Sequence, residues 1–588
     1  MLETGMRRRW RPRTDVDSEQ VEQLAAGLGV HPLVARLLAA RGVAEVDDAR
    51  DFLRPRLTLL HDPAELPGAA HAAKRIAEAI ANDQPIVVYG DYDVDGVTAA
   101  SILWHTLRTA GADVSTYVPH RLDEGYGLNE QAIASLCDRE DGRTPLIISV
   151  DCGITATGPA ATAKKLGAEL IITDHHTFDE DDLPDACALV HPRLARDGEA
   201  PYPCPDLCGA GVAFKLAWQA AREHYGSDRV PTPVRELLID LLSYVALGTV
   251  ADVVPLTGEN RVMTIFGLSR VKHTDFAGLN ALIDAARLRE DRIEAYHVGF
   301  VLGPRLNACG RMGHAREAVR LLTEADGDEA AELANFLTQE NDRRRATERE
   351  IAGEAEQMVL DRGFDAEDSR AIVVGKEGWH PGVIGIVASR LVERFGRPVI
   401  MLNFDNGTAK GSARSVEGVS IHDALCACEK HLSRFGGHAM AAGMTLPTEA
   451  VDTFRDDLVA FVNDRLSPEQ LVPLLDIDAE ITLPECTLEL FEQLQQLAPF
   501  GRSNPSPRLV LREASLDHAK PIGKQGRHLH LQLRQNGQVL RAVAFGFGEL
   551  AEELPPGATL DVVFEPKLST WRGQRRVELH VKDVKRSR

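Results

Sequence analysis

The chain has 588 residues, 44% hydrophobic and 26% charged, the proportions of a globular protein large enough for several domains. Its longest mostly apolar stretch, Leu241 to Ala251, is closed by Asp240 and Asp252, far short of a membrane span. A net charge of −22 argues against a protein that coats nucleic acid with its whole surface. No apolar run follows Arg7, Arg8 and Arg9, so no secretory leader is expected. The nine cysteines are scattered. The close pairs Cys204/Cys208 and Cys426/Cys428 lack the second half of a zinc site, which suits reduced thiols in the cytoplasm.

Residues 1–60 read as a helical lead-in. Within 61–322, short apolar runs at 85–90, 145–150, 169–173 and 186–190 read as buried strands, and 97–110, 129–138 and 155–167 as helices. Buried strands with crossover helices predict a parallel α/β sheet. Residues 323–362 are charged and without strand pattern, and the run Glu340 to Glu350 suits a long exposed connecting helix. A second α/β domain is expected at 363–467, opening on Ala371-Ile-Val-Val374, with a helix near 383–395 and a strand at 398–402. Residues 468–588 change style. Strand-like segments at 508–511, 528–533, 540–547, 559–564 and 576–581, separated by turn residues, predict a small OB-like β-barrel. From Gly501 onward 16 Lys and Arg meet 9 Asp and Glu, a local +7 against −29 on the remainder. A basic module on an acidic body suits local contact with nucleic acid.

The acidic residues and histidines fall at the strand ends. Asp91, Asp93 and Asp95 follow the first strand, Asp151 the second, Asp174, His175 and His176 the third, and His191 the fourth; Asp252 ends the helical run 237–250. In an open parallel sheet, ligands gather beyond the carboxyl ends of the strands, so Asp91, Asp93, Asp95, Asp151, His175 and Asp252 are expected in one crevice. A lone Asp-x-Asp in a turn is usually solvated or a helix cap; several such motifs, each at a strand end, point elsewhere. Two carboxylates roughly 4 Å apart repel by about 4 kcal/mol at an effective dielectric near 20. The cluster therefore implies two divalent cations, and carboxylates with one imidazole suit Mn²⁺ or Mg²⁺.

Tyr89-Gly-Asp-Tyr-Asp-Val-Asp-Gly96, Ser149-Val-Asp-Cys-Gly153, Thr173-Asp-His-His176 and Gly248-Thr-Val-Ala-Asp-Val-Val-Pro255 resemble, in order, the four motifs of the DHH phosphoesterases. The resemblance implies that Asp93, Asp95, Asp151, His175 and Asp252 are metal ligands, with Asp151 the bridge. It makes Asp91 a ligand or a partner behind the ligands, His176 the group facing the scissile phosphate, and Asp174 the residue that orients the pair.

Further segments are similar to the RecJ-type exonucleases within that superfamily: Pro119 to Gly127, Gly303 to Met312, Trp379 to Gly385, Lys410 to Ser415 and Phe435 to Gly443. Gly436 and Gly437 let backbone N–H groups approach phosphate, while Ser412, Arg414 and His438 add donors and charge. Arg121, Tyr126, Arg305 and Asn307 suit gripping a strand end or stabilising charge at the reacting phosphate. Phe545, Phe547, Trp571 and Tyr126 are candidate stacking residues, although most barrel aromatics are expected in the core.

Resemblance to this family implies a DHH catalytic domain, a DHH-associated substrate-binding domain and an OB-like single-strand-binding domain. It also implies 5′-to-3′ hydrolysis of single-stranded DNA to mononucleotides in recombination and repair. The expected setting is a cytoplasmic monomer, without membrane contact, working with a single-stranded-DNA-binding protein and a helicase. Two rivals remain: a DHH phosphodiesterase for short oligonucleotides or cyclic dinucleotides, which resembles only the first two modules, and a non-catalytic replication scaffold, which would have lost metal ligands.

Overall fold

Five parallel strands carry the motifs, in the order Val114–Tyr117, Ile86–Gly90, Leu146–Val150, Glu169–Thr173, Ala188–Val190. The computed structural model describes residues 3–4, 7–120, 124, 127–194, 201–312, 315–571 and 574–587. They divide into two units, one of residues 54–343 with 499–505, the other of residues 1–53, 344–498 and 506–588. The 35-residue helix Gly327–Asp361 contributes to both.

In the first unit, Ile86–Gly90 and Leu146–Val150 are buried at every position, as strands covered on both faces must be. Alternation divides their side chains. Val88, Ile148 and Ile171 join the core with helices Ala69–Ala81, Val94–Thr109 and Gly209–Tyr225. Tyr89, Ile147 and Ile172 pack on the other face against Glu130–Cys137 and Thr157–Lys165. The chain steps from Ile86–Gly90 out to Val114–Tyr117 and then returns to the opposite side at Leu146–Val150. That reversal is where a doubly wound sheet opens a crevice at its carboxyl edge. The edge strand Val114–Tyr117 escaped the sequence pattern because none of its four residues is fully buried.

The second unit holds a mixed sheet, ordered Arg434–His438, Ala441–Pro447, Thr408–Arg414, Val399–Asp405, Ile372–Glu377. Only the last two strands are parallel. Its barrel closes through one long strand. Leu509–Ile522 pairs with Thr559–Trp571 along its first half and with His528–Gln535 along its second, with an irregularity in each ladder that lets it bend. Gln538–Ala544 and Gln574–Arg586 complete the circuit. The lead-in does hold helices Ser18–Leu28, Pro32–Ala39 and Val46–Leu53, but it differs from a purely helical segment. Arg9–Pro12 is a strand, parallel to Leu474–Ile477. Trp10, fully buried, packs with Leu475, Ile477, Val510 and Val563, and its Nε1 donates to Asp583 at 2.8 Å. No described helix is long and apolar enough to cross a membrane. All nine cysteines are free.

Candidate metal centre

Each chemistry-bearing side chain leaves the sheet at a carboxyl end. Asp91 follows Ile86–Gly90, and Asp93 caps the helix Val94–Thr109, accepting the Gly96 N–H at 3.1 Å. Asp95 sits in the first turn of that helix with 1% of its surface exposed. Its two oxygens accept the N–H groups of Gly209 (2.6 Å) and Ala210 (2.8 Å), the first amides of the helix Gly209–Tyr225. Those amides have no partner within their own helix, and the positive end of the helix favours the carboxylate.

Asp151, just past Leu146–Val150, is buried and takes a left-handed φ of 60°. Asp is among the few residues besides glycine that accept this conformation. Gly209 gives it room, since a Cβ there would lie 2.7 Å from the Asp151 Oδ1. At Gly248, one turn before Asp252 on the helix Thr232–Ala251, a Cβ would lie 2.5 Å from the Asp95 Oδ1. Two helix backbones thus approach the carboxylates more closely than any side chain would allow.

His175 brings the parts together. Its Nε2 lies 3.1 Å from Asp151 Oδ1 and 3.7 Å from both Asp95 Oδ2 and Asp252 Oδ2. Ligand atoms of Asp91, Asp93 and Asp151 form one tight group, those of Asp95, His175 and Asp252 a second, and those of Asp151, His175 and His176 a third. Asp151 belongs to two of the three. Its Oδ1 and the His175 Nε2 are buried and make no hydrogen bond.

Burial raises Asp151 well above the usual carboxylate range, and Asp95, Asp93 and Asp91 add repulsion. Asp95 is raised by burial, with His175 opposing. Burial and then Asp95 push Asp252 up to about 8. Burial lowers His175. Buried oxygens of one sign, with unmet lone pairs and a neutral imidazole, are the donor set a divalent cation takes. The residues fit the metals.

Asp174 has another task. Its Oδ1 accepts from the backbone N–H of His175 (2.7 Å) and His176 (3.1 Å) and from His176 Nδ1 (2.7 Å), while Oδ2 accepts from Ile154 N–H. Burial alone would raise this carboxyl and lower the imidazole. The His176 bond outweighs it, and the pair moves apart, Asp174 down to about 2 and His176 up to about 9.

Asn307, on the helix Gly303–Met312, accepts the Val94 N–H at 3.0 Å and so touches the turn that bears Asp93 and Asp95. Arg305 on the same helix donates to the Val301 carbonyl and to Thr338. Arg121 and Tyr126 lie outside the described residues. In the second unit, Ser412 pairs across Gly443 with Gly436, and Arg414 pairs across Ala441 with His438. Gly385 faces Ser412 and Arg414, and a Cβ there would lie 2.8 Å from the Ser412 Oγ. Gly437 has φ 142°.

Among the barrel aromatics, Phe545 is 55% exposed, flanked edge-on by His528 and His580. Phe547 is not available for stacking: it is buried, with the Arg7 guanidinium 4.1 Å from its ring centre. Of Trp571 only the backbone is described. The backbone amides of Gly209 and Ala210 had no sequence signal; His191 was marked only by its place at a strand end, and its Nε2 donates to the His176 carbonyl at 2.8 Å.

The chain matches three family models: DHH family, N-terminal domain, at residues 85–249; DHHA1 domain at 368–464; and RecJ OB domain at 477–583. It is 40% identical over 570 residues to the single-stranded-DNA-specific exonuclease RecJ of Bacillus subtilis, covering 97% of this chain and 70% of that protein. To the protein of the same name from Escherichia coli it is 32% identical, covering 94% and 96%. The crystal structure of RecJ in complex with Mn²⁺ from Thermus thermophilus superposes with a TM-score of 0.82 at 31% identity, covering 98% of this chain and 80% of that one.

Proposed function

The chain belongs to the RecJ family, and we propose that the cluster around Asp151 and His175 is the metal centre at which it hydrolyses single-stranded DNA. It is a hydrolase, a single-stranded-DNA-specific exonuclease of DNA repair and recombination that takes Mn²⁺ or Mg²⁺. The observation that carries the site assignment is the pair of buried atoms Asp151 Oδ1 and His175 Nε2, 3.1 Å apart and without hydrogen bonds.

In this reading Asp91, Asp93, Asp95, Asp151, His175 and Asp252 hold two cations, with Asp151 shared between them. When bound, the cations lower the pKa of water and offset charge on the phosphate. The rest falls to the chain. The Gly209 and Ala210 amides favour the ionised form of Asp95 against the burial that raises it, and Asn307 steadies the turn that carries it. His176, kept protonated by Asp174, presents positive charge to the reacting phosphate. Arg305, whose guanidinium donates to the Val301 carbonyl and to Thr338, is assigned to stabilising charge at the reacting phosphate. Arg121, Tyr126, Ser412, Arg414, Gly436, Gly437 and His438 are assigned to gripping the strand. Attack at the 5′ end with release of mononucleotides, a single-stranded-DNA-binding protein and a helicase as partners, and a cytoplasmic monomer complete the proposal; family membership supports these.

The test uses single strands labelled at either end and a blunt duplex, with Mn²⁺, Mg²⁺ or EDTA. Labelled mononucleotide is expected first from the 5′-labelled single strand, with the duplex resistant and EDTA abolishing the reaction. Equal rates on duplex and single strand, or turnover in EDTA, would contradict the assignment.

A further inference from the structure

His191 ends the strand Ala188–Val190 beside the centre, yet it is neither a proposed ligand nor a group facing the phosphate. Its side chain is 0% exposed. Nδ1 accepts the Arg193 N–H at 3.0 Å, so that nitrogen carries no proton and Nε2 carries one. Nε2 donates to the His176 main-chain carbonyl at 2.8 Å. The Phe178 ring meets the imidazole edge-on at 4.7 Å, and the His191 N–H is bonded to the Pro67 carbonyl. Both ring nitrogens are used, so the ring has one tautomer and one orientation.

The segment it touches is the one that leaves Glu169–Thr173 and delivers His175 and His176. Asp174 holds that segment through two backbone N–H groups and the His176 ring. His191 holds it through the carbonyl that follows. We propose that His191 is a positioning residue: a neutral Nε2–H imidazole that fixes the His176 carbonyl and thereby sets where His175 and His176 point. The proposal rests on the reading of His175 as ligand and His176 as the phosphate-facing group. The plainer account, a core histidine satisfied where it happens to lie, requires only that the site be filled. Positioning requires the donor at Nε2, because a misplacement of about 1 Å at a reacting centre costs on the order of 100-fold.

Glutamine and asparagine separate the two accounts. The glutamine amide nitrogen reaches where Nε2 stands; the asparagine oxygen replaces Nδ1 and leaves the His176 carbonyl without its donor. In His191→Asn, kcat on a saturating short single strand is expected to fall by roughly 10–100-fold, the range for losing a partner behind a metal ligand, with KM little changed. His191→Gln is expected to recover most of that loss. Wild-type kcat in His191→Asn, or no advantage of His191→Gln over it, would overturn the proposal. A second readout needs no activity: with ¹⁵N-labelled histidines, the metal-free wild-type protein should show His191 as the neutral Nε2–H tautomer. A charged or Nδ1–H ring there overturns the proposal even if neither variant folds. Absence of Mn²⁺-dependent digestion by the wild type would instead count against the function assigned to the centre.

Discussion

Two clusters of buried charge lie in the same parallel-sheet domain and obey opposite rules. At the first, Lys215 and Glu259, each at most 1% exposed, form an ion pair. The Lys215 Nζ also donates to the His61 carbonyl, and Glu259 accepts from the His61 N–H and the Tyr202 hydroxyl. Charges of both signs are present and the hydrogen bonds close within the protein. At the second, Asp91, Asp95 and Asp151 are buried beside Asp93 and Asp252, and the His175 imidazole among them is pushed toward neutrality. A buried charge completed from inside serves the fold. A cluster of one sign that a cation would complete suits chemistry, and the fold tolerates its cost.

Removing one member of each cluster should break the comparison in opposite ways. Asp151→Asn, which keeps a residue that accepts the left-handed backbone, is expected to abolish hydrolysis even at saturating Mn²⁺, while the metal-free protein melts no lower than wild type, because an ionisable carboxyl has left the repelling cluster. Loss of activity with a large fall in metal-free Tm would make Asp151 structural. Lys215→Met should do the reverse. It strands the Glu259 carboxylate and is expected to cost about 3–5 kcal/mol of stability, measured by denaturant unfolding. Turnover per folded molecule should stay at the wild-type level. A variant as stable as wild type would show that the pair contributes nothing to the fold.

The smallest effect sharpens the contrast through pH. In the metal-free protein Asp252 holds its proton up to about 8, whereas the unfolded chain releases it near 3.8. Between those values the folded state binds the extra proton, so this group's contribution to stability falls as pH rises. Metal-free Asp252→Asn, which cannot ionise, should come closest to wild type in Tm below about pH 4, where the unfolded chain also keeps the proton, and exceed it increasingly toward pH 8, by about 2–4 °C for each kcal/mol. Mn²⁺ needs the ionised carboxylate, so its affinity for the wild type should climb from pH 6 to pH 8 with release of protons. A Tm difference that is constant with pH would remove Asp252 from the repelling cluster.

Much of the centre was legible because strand and helix periods are local. Asp91, Asp93, Asp95, Asp151, Asp174, His175 and His176 follow apolar runs that can only be buried strands, and Asp252 ends an apolar helix. Their convergence follows from parallel topology alone. Strand lengths in the barrel were less legible: Thr559–Trp571 runs well past the apolar segment expected at 559–564. Its later residues include Lys567, Ser569 and Thr570, which carry no apolar signal but still pair along the ladder.

The sequence by itself determined which residue types would stand at the carboxyl edge of a parallel sheet, since hydrophobic period and turn chemistry are written within a few residues of each other. Tertiary structure alone decided what completes them. The Gly209 and Ala210 amides reach Asp95 across more than a hundred residues, and Asn307 reaches Val94 across more than two hundred. Arg9–Pro12 finds its partner at Leu474–Ile477, so a cut placed at Pro468, where composition changes, would strip Trp10 of its packing. His191 was read as a strand end and proved to hold the His176 carbonyl. Each of these is a hydrogen bond or contact between distant segments. Its donor and acceptor are common groups with no local pattern, and only the folded distance between them distinguishes one backbone amide, or one histidine, from all the others.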